Sequence, residues 1–263
     1  MKILLSNDDG IQAEGLKRLA EAVKDFGELT VVAPDGERSA AAQAITLTRS
    51  LVARPWHRPG EAEPFGLGLD GTPADCVKMG ASFFMKGDVD LVLSGINRGP
   101  NAGISVLYSG TVAVATEAAI MGLSAIAFSL AAFEDMYWET GAAVARAVVR
   151  RYLAWTAAGG KMPRDVCWNV NIPNIPLAEL KGLKVAPMGA SRFREEYEER
   201  FSPWGQPYYW MQGVLEERDA DAETDLSLLR QGYATLTPLI LDRTAESFEG
   251  PVAAMRGVEG DWT

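Results

Sequence analysis

A short aliphatic run, Ile3-Leu4-Leu5, stops abruptly in Ser6-Asn7-Asp8-Asp9-Gly10, and a segment of helical period follows at once. The run is too short for a helix and reads as a buried strand of a parallel sheet whose carboxyl end opens into a polar loop. The segment after it places Leu16, Leu19, Ala20, Val23 and Phe26 on one face, with Lys17, Arg18, Glu21 and Lys24 on the other. In an open α/β sheet, ligands bind beyond the carboxyl ends of the strands. Asp8 and Asp9 therefore stand where chemistry takes place. Adjacent carboxylates repel and are costly there unless a cation sits beside them. Taken alone, Asp-Asp-Gly is more often a turn or a cap, so the later strand ends must decide between the two uses.

The pattern repeats along the chain. Residues 28–33 read as a second strand, ending in the polar loop Pro34-Asp-Gly-Glu-Arg-Ser39. The small-residue run 39–44 suggests a short helical turn, residues 45–53 a strand or hairpin, and 54–59 an exposed loop. Thr72-Pro73 starts a helix as cap and first residue. Residues 90–94 form a buried strand that runs into the Gly- and Asn-rich loop 95–103, with Asn97 and Asn101. Tyr108-Ser109-Gly110-Thr111 opens a helix through Met121; such a start can bind phosphate through hydroxyls, free N–H groups and the helix dipole, or can be a plain Ser109 cap. Strands at 123–130 and 166–172 flank a helix at 140–155. Strands alternating with helices imply a mostly parallel, doubly wound three-layer αβα sheet. Gly66-Leu-Gly-Leu-Asp-Gly71 matches a dinucleotide fingerprint only in letters, because it lies within an alternating strand pattern and opens no helix there.

Composition shifts near residue 186, which divides the chain into a Rossmann-like catalytic part, 1–185, and a C-terminal part, 186–263. Within the latter, 188–212 mixes charged residues with Phe201, Trp204, Tyr208, Tyr209 and Trp210 without helical spacing. That reads as an extended hairpin arm that contacts another subunit. A short helix at 224–231, a strand at 233–239 and a tail of weak periodicity follow.

The single histidine, His57, prunes the chemistry. A zinc site of the His/Cys kind lacks ligands, so any bound metal must be held by oxygens, which favours Mg²⁺, Mn²⁺ or Ca²⁺. Cys76 and Cys167 stand in apolar surroundings and read as reduced core residues. A net charge of −10 argues against a nucleic-acid surface. Neither a secretory leader nor a membrane span is legible, which leads to the expectation of a soluble cytoplasmic protein with no membrane partner.

Three polar loops thus share one sheet edge: Asn7-Asp8-Asp9, the loop with Ser39, and the loop with Asn97. Two carboxylates, a hydroxyl and a carboxamide make a hard-oxygen cage with open positions, next to the helix start at Ser109. Metal-assisted hydrolysis of a phosphate ester suits that pairing. The motifs Asn7-Asp8-Asp9-Gly10, Ser39 in Pro-Asp-x-x-x-Ser, Gly71-Thr-Pro-Ala-Asp-Cys76, Ser94-Gly-Ile-Asn97 with Gly99-x-Asn-x-Gly103, Tyr108-Ser-Gly-Thr111 and Thr224-Asp225 with Thr237-Pro-Leu, taken together, resemble the SurE family of stationary-phase survival proteins.

The resemblance implies a 5′/3′-nucleotidase that removes phosphate from nucleoside monophosphates with one divalent ion per subunit, Mg²⁺ or Mn²⁺, Ca²⁺ being able to replace it in crystals. It also implies a C-terminal part exchanged between subunits in a homodimer or homotetramer. By motif, Asp8, Asp9, Ser39 and Asn97 would bind the metal, with Asp8 and Asp9 catalytic. Asn97, Asn101, Ser109, Gly110 and Thr111 would line the substrate phosphate site. Gln43 and Ala44 stand where many relatives carry glycine and histidine-like residues, a departure that bears on base or ribose preference. One rival is a phosphatase of the haloacid-dehalogenase type. It would need two aspartates two positions apart, whereas Asp8 and Asp9 are adjacent. The other is a nucleotide- or metal-sensing module without turnover.

Overall fold

The computed structural model describes residues 1–216, 218 and 222–244. In chain order its elements are β1 (Lys2–Ser6), α1 (Glu14–Val23), β2 (Glu28–Pro34), β3 (Ala53–Trp56), β4 (Gly66–Leu69), α2 (Pro73–Met79), β5 (Leu91–Arg98), α3 (Gly110–Ile120), β6 (Ala125–Leu130), α4 (Trp138–Ala157), β7 (Val166–Ile172), β8 (Leu183–Val185), β9 (Arg192–Phe201), β10 (Pro207–Glu216), α5 (Asp225–Arg230) and β11 (Ala234–Ile240). Nine strands form one sheet in the order β3-β4-β2-β1-β5-β6-β7-β11-β8. Pairing is parallel from β4 through β7 and antiparallel at β3–β4 and β7–β11. This is the doubly wound αβα sheet that the strand–helix alternation predicts.

Strand β1 explains the layering. Its side chains alternate between two buried clusters, Ile3 and Leu5 in one and Leu4 in the other. Helices α1 and α4 cover the first face, through Leu16, Leu19, Val144 and Val148. Helices α2 and α3 cover the second, through Cys76, Val77, Val114 and Ala118. Burial on both faces is why the strand reads as a continuous apolar run. Because β2 lies on one side of β1 and β5 on the other, the strand order reverses there, and the carboxyl end of β1 opens at a topological switch point.

Several local expectations are corrected. Residues 45–52 form no strand; Thr46 instead gives its N–H and hydroxyl to Asp75, and the edge strand β3 begins at Ala53, the last residue of that stretch, and runs on into the stretch expected to be an exposed loop. The run 39–44 is not helical, because Ala40 (φ 56°) and Ala42 (φ 47°) take left-handed backbone angles that break any helix. Strand β5 continues to Arg98 through the expected loop, with a register shift against β6 between Ser94 and Asn97.

Strands β9 and β10 pair only with each other, as a two-stranded ribbon separate from the main sheet. Tyr197, Phe201, Trp204, Tyr209 and Trp210 are all exposed on or beside it. Helix α5 and strand β11 then return, and β11 is hydrogen-bonded between β7 and β8. The tail beyond Thr244 lies outside the described residues. No helix among the described residues is long and apolar enough to cross a membrane.

Gly15, in the first turn of α1, sits against the backbone of β5: an added Cβ would lie 1.8 Å from the Ile96 carbonyl oxygen. Helix propensity alone favours alanine there by about 1 kcal/mol, but overpacking costs about 1–3 kcal/mol, and a contact this close places it at the upper end. Gly15→Ala is therefore expected to lower the thermal unfolding midpoint. A midpoint at or above the parent's would refute this account of how α1 seats.

Candidate active site

At the carboxyl end of β1 the chain turns on its own side chain: Asn7 Nδ2 donates to the Gly10 carbonyl (3.0 Å), and Gly10 N donates to Asn7 Oδ1 (3.2 Å). That staple projects Asp8 toward the start of α3. The Thr111 hydroxyl donates to Asp8 Oδ1 in a short hydrogen bond. The backbone N–H groups of Gly110 and Thr111 also stabilise the Asp8 charge. The carboxylate thus occupies the positive end of the helix. Asp8 is only 5% exposed, and burial still pushes its pKa up against those donors. Ser109 caps the same helix, its Oγ accepting from Val112 N at 3.0 Å.

Asp9 lies beside it with fewer donors. Arg98 N donates to Asp9 Oδ2 at 3.3 Å, and Arg98 Nε stands 4.0 Å from Oδ1. Burial first, then the neighbouring Asp8 charge, raises its pKa from 3.8 to about 6. The folded chain therefore holds this proton more tightly than the unfolded chain does, so the metal-free protein loses stability as pH rises from 3.8 to about 6. Two adjacent carboxylates with so little compensating charge are a strained arrangement that a cation would relieve.

Asn97 completes one wall. Its Nδ2 donates to the carbonyls of Arg98 (3.1 Å) and Gly99 (2.9 Å), which leaves Oδ1 without a partner among the described residues. The Ser39 loop is fixed to the same place, since Arg38 N donates to the Asp8 carbonyl at 2.8 Å. The Ser39 hydroxyl itself is exposed and donates to Glu37 Oε1 at 2.7 Å. Among the described residues no group of three or more His, Cys, Asp and Glu could hold a metal. A metal at this edge could be held by the carboxylate, carboxamide and hydroxyl oxygens gathered here, a donor type that suits a hard divalent cation better than zinc.

The structure thus gathers Asp8, Asp9, Asn97, Ser109, Gly110 and Thr111, and brings the Ser39 loop to their edge. Asn101 stands one layer back: its N–H donates to Asn171 Oδ1, its Nδ2 to Ser129 Oγ, and its carbonyl accepts from Asn169 and Asn171. Sequence reasoning missed Arg98, which lies 3.9 Å from Glu37 as well as close to Asp9; its place directly after Asn97 was the available signal. It also missed Asp225, whose carboxylate accepts from Gly103 N and Gly189 N, both at 2.9 Å, and so ties the 99–105 loop to the C-terminal part. His57 follows β3 at the outer edge of the sheet, away from this cluster.

The family model for the survival protein SurE matches residues 3–195. The chain belongs to the SurE family. A 5′-nucleotidase SurE from Syntrophobacter fumaroxidans is 42% identical over 244 residues, covering 93% of this chain and 95% of that protein. One from Pelotomaculum thermopropionicum is 41% identical over 245 residues, covering 93% and 91%. The crystal structure of the SurE protein from Aquifex aeolicus superposes with a TM-score of 0.79 at 38% identity, over 93% of this chain and 95% of that one.

Gly110 is the tightest point of this arrangement. An added Cβ would sit 2.6 Å from Asp8 Cβ and 2.8 Å from Oδ2. Gly110→Ala must push α3 and Asp8 apart, and displacements of about 1 Å at a reacting centre cost on the order of a hundredfold in rate. The expected result is a folded protein with phosphatase turnover reduced to that degree; turnover within a factor of about two of the parent would show that Asp8 need not lie against α3.

Proposed function

We propose that this chain is a metal-dependent nucleotidase, a phosphomonoesterase that hydrolyses nucleoside 5′- and 3′-monophosphates to nucleoside and phosphate. The observation that carries the reading is the juxtaposition of Asp8 and Asp9, buried and under-compensated, with the free Oδ1 of Asn97 and the start of α3. The relatives named 5′-nucleotidase SurE support the substrate class. The adjacency of the two aspartates favours attack by water over an aspartyl phosphoenzyme.

Asp8, Asp9 and Asn97 would hold one divalent ion, Mg²⁺ or Mn²⁺, joined by Ser39 once its hydroxyl turns from Glu37. When bound, such an ion polarises a phosphoryl oxygen and makes a coordinated water acidic enough to serve as nucleophile. The protein's own residues supply position. Thr111 and the N–H groups of Gly110 and Thr111 fix Asp8, so those groups act on the phosphate site chiefly through that carboxylate. The Ser109 hydroxyl keeps its proton free to donate to a phosphoryl oxygen, at the positive end of α3. Asn101 fixes the 99–105 loop from behind through its four hydrogen bonds. Arg98 adds positive charge at the mouth.

The exposed ribbon of β9 and β10 supports a homo-oligomer in which residues 192–216 reach a neighbouring subunit. An isolated two-stranded ribbon is marginally stable on its own, and a row of exposed aromatics calls for a partner surface.

Asp8→Asn and Asp9→Asn should each reduce kcat/KM for AMP on the order of a thousandfold or more, and EDTA should silence the parent protein. In EDTA at neutral pH, Asp9→Asn should melt at or above the parent, because it removes the buried like charge. Loss of activity together with a lower midpoint in EDTA would point to a folding defect instead. Removing residues 192–216 should delay elution on a sizing column by more than the deleted mass accounts for; retention of the parent's subunit number would exclude the ribbon as the assembly element.

A further inference from the structure

A cleft of about 630 Å³ runs from Ser109 along one side of α3 to the end of β11. This is the size of cavity that takes a small organic ligand. Its wall near the site is apolar, built by Val106, Leu107, Val112, Ala113 and Met188. Gln43 lines the same cleft, and its amide Nε2 is buried without a hydrogen-bond partner among the described residues. The loop that carries Gln43 is fixed to the mouth of the cleft, because Ala42 N donates to the Tyr108 carbonyl at 3.3 Å.

A buried donor with no acceptor is costly in a folded protein, and each such group calls for an explanation. Here the side chain that carries the donor lines a cavity that begins at Ser109, one residue from Gly110 and its contact with Asp8. From Ser109 to Thr116, both lining residues, the helix advances about 10 Å at 1.5 Å per residue. A phosphate ester held at the Asp8 end would therefore direct its organic half into the cleft. The apolar wall suits the faces of a flat heterocycle. The lone amide suits an acceptor atom on that ring's edge.

We propose that this cleft binds the nucleoside half of the substrate and that Gln43 reads the base, its Nε2 donating to a ring nitrogen or carbonyl oxygen. The inference rests on the nucleotidase reading and adds to it the residue that sets base preference. Gln43 does so without touching the phosphate, so its effect falls on substrate affinity and depends on the base.

The test is Gln43→Leu, which keeps the side chain's bulk and removes an unpaired buried donor, so that folding is retained. The ratio of KM for AMP to KM for ribose 5-phosphate, which lacks a base, should rise about tenfold, the usual cost of one lost neutral hydrogen bond at its upper end. Adenosine alone, titrated calorimetrically into the parent protein in EDTA, should bind, and should bind several-fold more weakly to the variant. An unchanged KM ratio would overturn the role of Gln43, as would an equal rise in KM for both substrates. Failure of adenosine to bind the parent would overturn the assignment of the cleft. Absence of phosphate release from every phosphomonoester would sink the nucleotidase reading instead, and the adenosine titration would still decide the cleft.

Discussion

The interaction on which the rest of this structure depends is the contact between the Asp8 carboxylate and the first turn of α3. A buried carboxylate is held there by a hydroxyl, by backbone N–H groups and by the positive end of a helix. Nothing bulkier than a glycine fits at residue 110 if the two are to meet. Ser109 caps the helix so that its first free N–H groups can be given to Asp8. The sheet order places β1 and β5 side by side, which brings Asn97 and Arg98 to Asp9. Each of these features loses its purpose if Asp8 is removed from the helix end.

Behind that contact lies a polar face that is unusual for a sheet interior. Ser129, Asn169, Asn171, Thr235 and Thr237 are all buried, on neighbouring strands β6, β7 and β11 in register. Asn101 draws on this face for its hydrogen bonds, and Asp225 reaches the same loop from the C-terminal part. Buried polar groups that bind one another fix a loop more uniquely than apolar packing does. The loop carrying Asn97 and Asn101 is thus immobilised from two directions, as a preorganised donor set requires.

The fold was legible in the sequence wherever the burial was simple. The largely apolar strands β1, β5 and β6 and the amphipathic helix α1 follow directly from their sequence pattern, because their apolar residues are buried. Residues 39–53 were not legible. Their path is set by distant partners, Thr46 by Asp75 and Ala42 by Tyr108, and a run of small residues carries no local sign of left-handed angles at Ala40 and Ala42. In the candidate site, the common placement of Asp8, Asp9 and Asn97 at one sheet edge was legible because polar residues at strand ends stand out. Their supports were not. The hydroxyl of Thr111 is given to Asp8, a contact that no local pattern announces, and Asp225 lies more than a hundred residues from the loop it holds.

The chain's acidity makes the oxygen-based site more intelligible. With a net charge of −10, the surface at large repels a phosphate monoester. A substrate of that charge can settle only where positive potential is concentrated. The residues around Asp8 and Asp9 do not supply it unaided, since Arg98 is half exposed and shared with Glu37. A divalent cation held between the carboxylates, as proposed, would reverse the sign of the potential at that point, and the α3 helix end would add to it. On that reading, specificity for a phosphate ester would depend on the metal-loaded state, in which the same aspartates that would otherwise exclude the substrate would become the means of holding it.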